Sequence, residues 1–85
     1  MNELVDVPVY ITDGDTGEVL SGTHIELVND NLEEFKCTTV AGVCILNNVP
    51  PGQYTYTISK EGYSTLTGDI EISENSIIEF SLYSE

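Results

Sequence analysis

The residues that could do chemistry in this chain are few and scattered. Asp13-Gly14-Asp15-Thr16-Gly17-Glu18 alternates acids through a glycine-rich stretch, and hard carboxylate oxygens in such a stretch can chelate Ca²⁺. Asp13 and Asp15 are therefore the candidate calcium ligands. The long calcium-binding loop closed by a bidentate glutamate is absent, and the same letters spell a hairpin turn, because Asp, Gly and Thr suit turn geometry. The turn is the expected reading, with no cofactor. Cys37 and Cys44 flank a short connection. If that loop is 39–42, Thr38 faces Val43 and Cys37 faces Cys44, both inward. A cross-strand disulfide fits there, and so do two small buried thiols packing as hydrophobes. The spacing is not Cys-x-x-Cys and no other ligand lies near, so no metal is expected.

His24 is the only histidine. It sits between Thr23 and Ile25 on the outward parity of a strand, with no partner for a Ser-His or Cys-His pair. Among 15 carboxylates some pairs lie close by chance, so paired acids alone do not argue for a glycosidase. No catalytic constellation emerges, and the chain reads as a non-enzyme. Tyr10 and Tyr83 read as outward residues of the first and last strands. Exposed tyrosines serve as protein contacts or as stacking platforms for sugars.

These residues need elements to hold them. The most informative stretch is Asn47-Asn48-Val49-Pro50-Pro51-Gly52-Gln53-Tyr54. Two prolines without backbone donors and a glycine make a turn, after which Tyr54, Tyr56 and Ile58 alternate as one face of a strand. Seven strands follow from such patterning: 7–12, 23–28, 34–39, 43–46, 53–59, 63–72 and 77–83. Pro8 puts the start of the first on a sheet edge, and Gly68 suggests a break in the sixth. No segment carries apolar residues at helical spacing, and only 31–34 has the character of a helical turn. Short strands between Gly, Pro and Asn turns specify an all-β fold, a seven-stranded Greek-key β-sandwich.

Eighty-five residues with 40% hydrophobic content suit one domain, 1–85, with one modest core. No apolar run approaches the about 20 residues of a membrane helix, so membrane insertion is not expected. Met1-Asn2-Glu3-Leu4 has neither the basic start nor the apolar stretch of a signal peptide. Fifteen acids against two bases give a net charge of −13. Such a surface repels phosphate backbones and anionic lipid, which excludes nucleic acid as a partner. The acids are interspersed, and Glu26, Glu71 and Glu79 fall between apolar residues as outward strand positions do.

Thr12-Asp13, Thr16-Gly17, Leu20-Ser21-Gly22, Thr38-Thr39, Gly42, Val49-Pro50-Pro51-Gly52, Tyr54 and Gly62-Tyr63 together resemble the carboxypeptidase regulatory-like domain family. That family belongs to the prealbumin-like (transthyretin-like, Ig-like) sandwiches and is close to the B-type repeats of collagen adhesins. The match runs from about residue 7 to 82. The resemblance implies a non-catalytic structural or adhesive module, a spacer or protein-binding platform in a larger secreted or cell-surface protein. Its partner would be another protein or a second copy. A carbohydrate-binding accessory domain and a small virion component are the alternatives. Two activities of similar folds do not carry over. Hydroxyisourate hydrolases use several His and Arg residues, and this chain has one His and no Arg. Adhesin repeats often form a Lys–Asn amide from a first-strand lysine; here the lysines are Lys36 and Lys60.

Overall fold

A computed structural model describes residues 4–85. Met1, Asn2 and Glu3, most of the stretch read above as no signal peptide, lie outside the described residues. The strands are β1 (Val5–Asp13), β2 (His24–Val28), β3 (Glu34–Thr38), β4 (Val43–Val49), β5 (Gly52–Ser59), β6 (Leu66–Ile72) and β7 (Ile78–Leu82). No helix occurs among the described residues; of the 31–34 stretch, 31–33 is a loop held by the Asn29 side chain and Glu34 opens β3. The strands form two sheets, in the orders β4-β1-β7 and β3-β2-β5-β6.

Period-two alternation builds the core between them. Val7, Val9 and Ile11 of β1 and Ile78 and Leu82 of β7 are buried on one side, and Ile25, Leu27, Ile58 and Ile72 on the other. Each such side chain contributes about 1.5–3 kcal/mol on full burial. The Pro-Pro-Gly turn is pinned from within: Tyr54 is 3% exposed, and its hydroxyl donates to the Pro50 carbonyl at 2.6 Å.

β1 lies at the centre of its sheet, antiparallel to β4 and parallel to β7. The expected edge position of Pro8 is therefore corrected. The Ile11 amide donates to Gly42, on the β4 side. Alternation then turns the Pro8 nitrogen toward β7, whose pairing begins only at Val9. The missing donor falls before the ladder starts, so a central strand tolerates it. β4 also runs further than expected, to Val49. Two residues, Asn47 and Asn48, oppose Asp6 alone, a bulge in which Asn48 takes φ 56° and its amide donates to Asp6.

β6 is continuous through Gly68, which pairs with Tyr56. The glycine marks close approach instead of a break, because a Cβ there would meet the Tyr56 ring and hydroxyl. Tyr56 in turn packs on Phe80 of the facing sheet, ring centroids 4.8 Å apart. β6 begins at Leu66, not 63, because Tyr63 pairs with Ser84 across an isolated bridge.

Candidate interaction surface

One end of the sandwich is organised around Asp13, the last residue of β1. Its Oδ1 accepts the amides of Asp15 at 2.8 Å and Thr16 at 3.1 Å, and its Oδ2 accepts the Tyr63 hydroxyl at 2.7 Å. Both carboxylate oxygens thus face protein donors, and Asp15 enters the turn through its backbone. No group of three or more His, Cys, Asp or Glu suited to a metal occurs among the described residues.

The Tyr63 hydroxyl, then the Asp15 amide, pull the Asp13 carboxyl below its ordinary 3.8, and the same bond pushes the Tyr63 phenol above 10.0. A depressed carboxyl stabilises the fold above its unfolded pKa and loses that contribution as pH falls through the folded value; a raised phenol loses its contribution as pH rises through the folded value. The Tm difference between wild type and Tyr63→Phe should be level at neutral pH. It should shrink below pH 3.8 and above pH 10.0. Melting curves of both proteins across pH check this, and a constant gap would contradict it.

A second polar cluster is fully enclosed. Thr39 Oγ1 donates to the Leu20 carbonyl at 2.6 Å and accepts the Thr23 amide at 3.0 Å, and the Thr23 hydroxyl reaches the same carbonyl at 3.3 Å. Thr23 is 0% and Thr39 2% exposed. Ser21 beside them accepts the Ala41 amide on its hydroxyl and the Lys60 ammonium on its carbonyl. Residues that read as motif letters in the sequence hold the 20–23 segment onto the 39–42 segment.

Cys37 and Cys44 are joined, with S–S 2.03 Å and Cα atoms 6.1 Å apart. Their inward parity matches the expectation, but the geometry of the link differs. Cys37 on β3 pairs with Ile25 in the four-stranded sheet, while Cys44 on β4 pairs with Val9 in the other. The bond spans the two sheets and is not a rung between neighbours of one ladder, because the chain changes sheet within 39–42. It closes only a short loop, with sequence separation 7. Its entropic worth is below the about 3 kcal/mol of a 15-residue loop. The double variant Cys37→Ser, Cys44→Ser should therefore remain folded at room temperature with a lowered Tm; an unfolded far-ultraviolet spectrum would contradict this.

The two outer faces differ in character. The face of the four-stranded sheet is polar: Lys36 lies 3.2 Å from Glu34 and 3.5 Å from Glu26, and His24 Nδ1 lies 3.1 Å from the Thr38 hydroxyl. Exposed ion pairs of this kind add little stability. Tyr10 and Tyr83 belong to the face of the three-stranded sheet. Tyr10 stands between Val43 on β4 and Glu79 on β7. Tyr83 follows β7 on the parity of Glu79 and Ser81, and its ring lies over Gly14, where a Cβ would strike it. An open cleft of about 550 Å³ at one end of the sandwich is bordered by Asn29, Leu32, Gln53 and Asp69. Its one aromatic, Tyr54, is buried and presents no stacking face to a sugar.

The model of the family described as carboxypeptidase regulatory-like domain matches residues 6–82. No curated protein shows a significant match. Among solved structures, the Bacillus anthracis TIE protein is similar at 22% identity and TM-score 0.77, over 96% of this chain and 17% of its own. BcpA, the major pilin subunit of Bacillus cereus, is similar at 20% identity and TM-score 0.69, over 96% of this chain and 30% of its own. The 3-chlorocatechol 1,2-dioxygenase of Rhodococcus opacus 1CP is similar at 14% identity and TM-score 0.77, over 100% of this chain and 61% of its own. The chain thus spans between about a sixth and three fifths of those proteins, and at these identities the likeness is one of fold.

Proposed function

This chain belongs to the carboxypeptidase regulatory-like domain family, and from that premise we propose that it is a non-catalytic, load-bearing spacer domain of a larger cell-surface or secreted protein, making contacts with other protein. The observation that carries the reading is the parallel pairing of the first and last strands, Val9–Asp13 against Ile78–Leu82. Tension on the two ends of the domain draws β1 and β7 along their length in opposite directions. Every rung of the ladder is then loaded at once, whereas a pair pulled from one end opens rung by rung. The similarity to a pilin subunit supports this reading. So does the use of the polar motif residues: Asp13, Ser21, Thr39, Tyr54 and Tyr63 each bond within the fold. The net charge of −13 favours neutral or basic protein partners over polyanions.

Single-molecule pulling tests it. Handles at the two ends load β1 and β7 in shear. A handle at Asn75, before β7, together with one at the N-terminus peels the pair from one end. The end-to-end geometry should need the higher unfolding force, and equal forces would refute the load-bearing role.

A further inference from the structure

We infer that the outer face of the three-stranded sheet is a self-association surface that receives the same face of a second copy of this chain. The inference deepens the proposed contact-making role and rests on it. The register lays the outward side chains in rows across β4, β1 and β7. Ile45 and Pro8 are directly opposed, with Ile77 beside Pro8 at the lip of a shallow cavity of about 470 Å³. Val43 and Tyr10 form the next row, bordered by Glu79. In the third, Val19 bridges to Thr12, whose hydroxyl meets that of Ser81. Five of these apolar side chains are between 39% (Val43) and 59% (Val19) exposed. Nothing comparable covers the four-stranded sheet, whose outward residues are mostly Thr, Glu, Asp and Lys.

Charge selects the occupant. The protein carries 15 acids, yet the only acids among the outward residues of β1, β4 and β7 are Asp6 and Glu79. Two copies at −13 repel through any other surface. Here they can meet with most of their carboxylates directed away. A basic partner finds little to pair with on this face and is better matched to the opposite one. Two such faces stacked at the usual about 10 Å between sheets add a third packing layer.

Size sets the strength. Five half-exposed apolar side chains make a small patch; the largest exposed patches of monomers, about 300–600 Å², are often functional. A standard stable interface takes about 20–30 residues a side, and these three rows hold far fewer. The association is therefore weak and reversible, suited to copies already held at high local concentration.

Sedimentation equilibrium of the 85-residue chain, from micromolar to millimolar, tests the proposal. The average mass should climb from monomer toward dimer. It should climb further at about 1 M NaCl, where the Debye length falls to about 3 Å and repulsion between copies is screened. Ile45→Glu, a change at an exposed position, should weaken association by at least about tenfold, while Thr67→Glu on the opposite sheet leaves it unchanged. Amide shifts in the unaltered protein should move with concentration on β1, β4 and β7 alone, which tests the surface without a variant. A monomer at every concentration and salt, loss of association with salt, an equal effect of both variants, or shifts centred on the other sheet overturns the proposal. None of these outcomes touches the single-molecule force comparison, so the two readings fail separately.

Discussion

Thr39→Val lowers the Tm by roughly 10 °C. The substitution keeps the shape and removes one oxygen. That oxygen accepts the Thr23 amide and donates to the Leu20 carbonyl. Leu20 keeps the longer bond from the Thr23 hydroxyl, but the Thr23 amide is left in a residue with 0% exposure and without that partner. A buried donor stranded in this way costs about 1–3 kcal/mol, and in a domain of this size each kcal/mol moves the melting point by about 4–8 °C. Thr39→Ser, which restores the oxygen, should recover most of the loss. Calorimetry on the three proteins separates the outcomes; a serine variant as unstable as the valine one would assign the cost to packing.

Gly42→Ala has an effect of similar or greater size, for a different reason. Gly42 is buried with φ +80°, where an L side chain costs about 1–2 kcal/mol. A Cβ there would also come within 3.0 Å of the Ile11 carbonyl and closer still to the Val19 Cβ. Neither is the free end of a flexible chain. The Ile11 carbonyl accepts the Leu20 amide, and the Ile11 amide donates to Gly42, so any shift disturbs two rungs next to β1. Steric overpacking of this kind adds about 1–3 kcal/mol. Gly17→Ala isolates the backbone part, since Gly17 has φ +79° and open space around it. The Gly42 variant should melt well below the Gly17 variant, and coincident melting curves would remove the steric argument.

What the sequence made legible follows from what alternation can report. Apolar residues at every second position located seven strands and most of the core, because a strand with one buried face writes its period into the chain. Alternation fixes which way a side chain points, not which strand lies beside it. Cys37 and Cys44 were therefore correctly turned inward but given the wrong geometry, since the sheet change within 39–42 leaves no mark on parity. Pro8 misled for a related reason: its missing donor mattered only on the side where β7 begins. Thr23 and Thr39 carried no signal as buried residues, because threonine is equally at home on an exposed strand. The local cue in their neighbourhood was the Leu20-Ser21-Gly22 bend, whose carbonyls need donors. The apolar rows on the three-stranded sheet were hidden for the same reason as the disulfide geometry. Val19, Tyr10 and Ile45 are far apart in the chain and become neighbours only once register is known.

The pairing of β1 with β7 also governs when the protein can fold. Thr12 and Ser81, whose hydroxyls meet across that ladder, are 69 residues apart in sequence. During synthesis the central strand of the three-stranded sheet has only one of its two neighbours until β7 emerges. The β2–β3 and β5–β6 pairs can form earlier from nearby segments, but Val9 and Ile11 lack part of their cover until β7 arrives. Closing so long a loop is slow compared with making local hairpins. The domain therefore completes its core only once β7 is available, as a single late event. Truncations that remove β7 should yield an open, aggregation-prone chain and not a smaller stable domain.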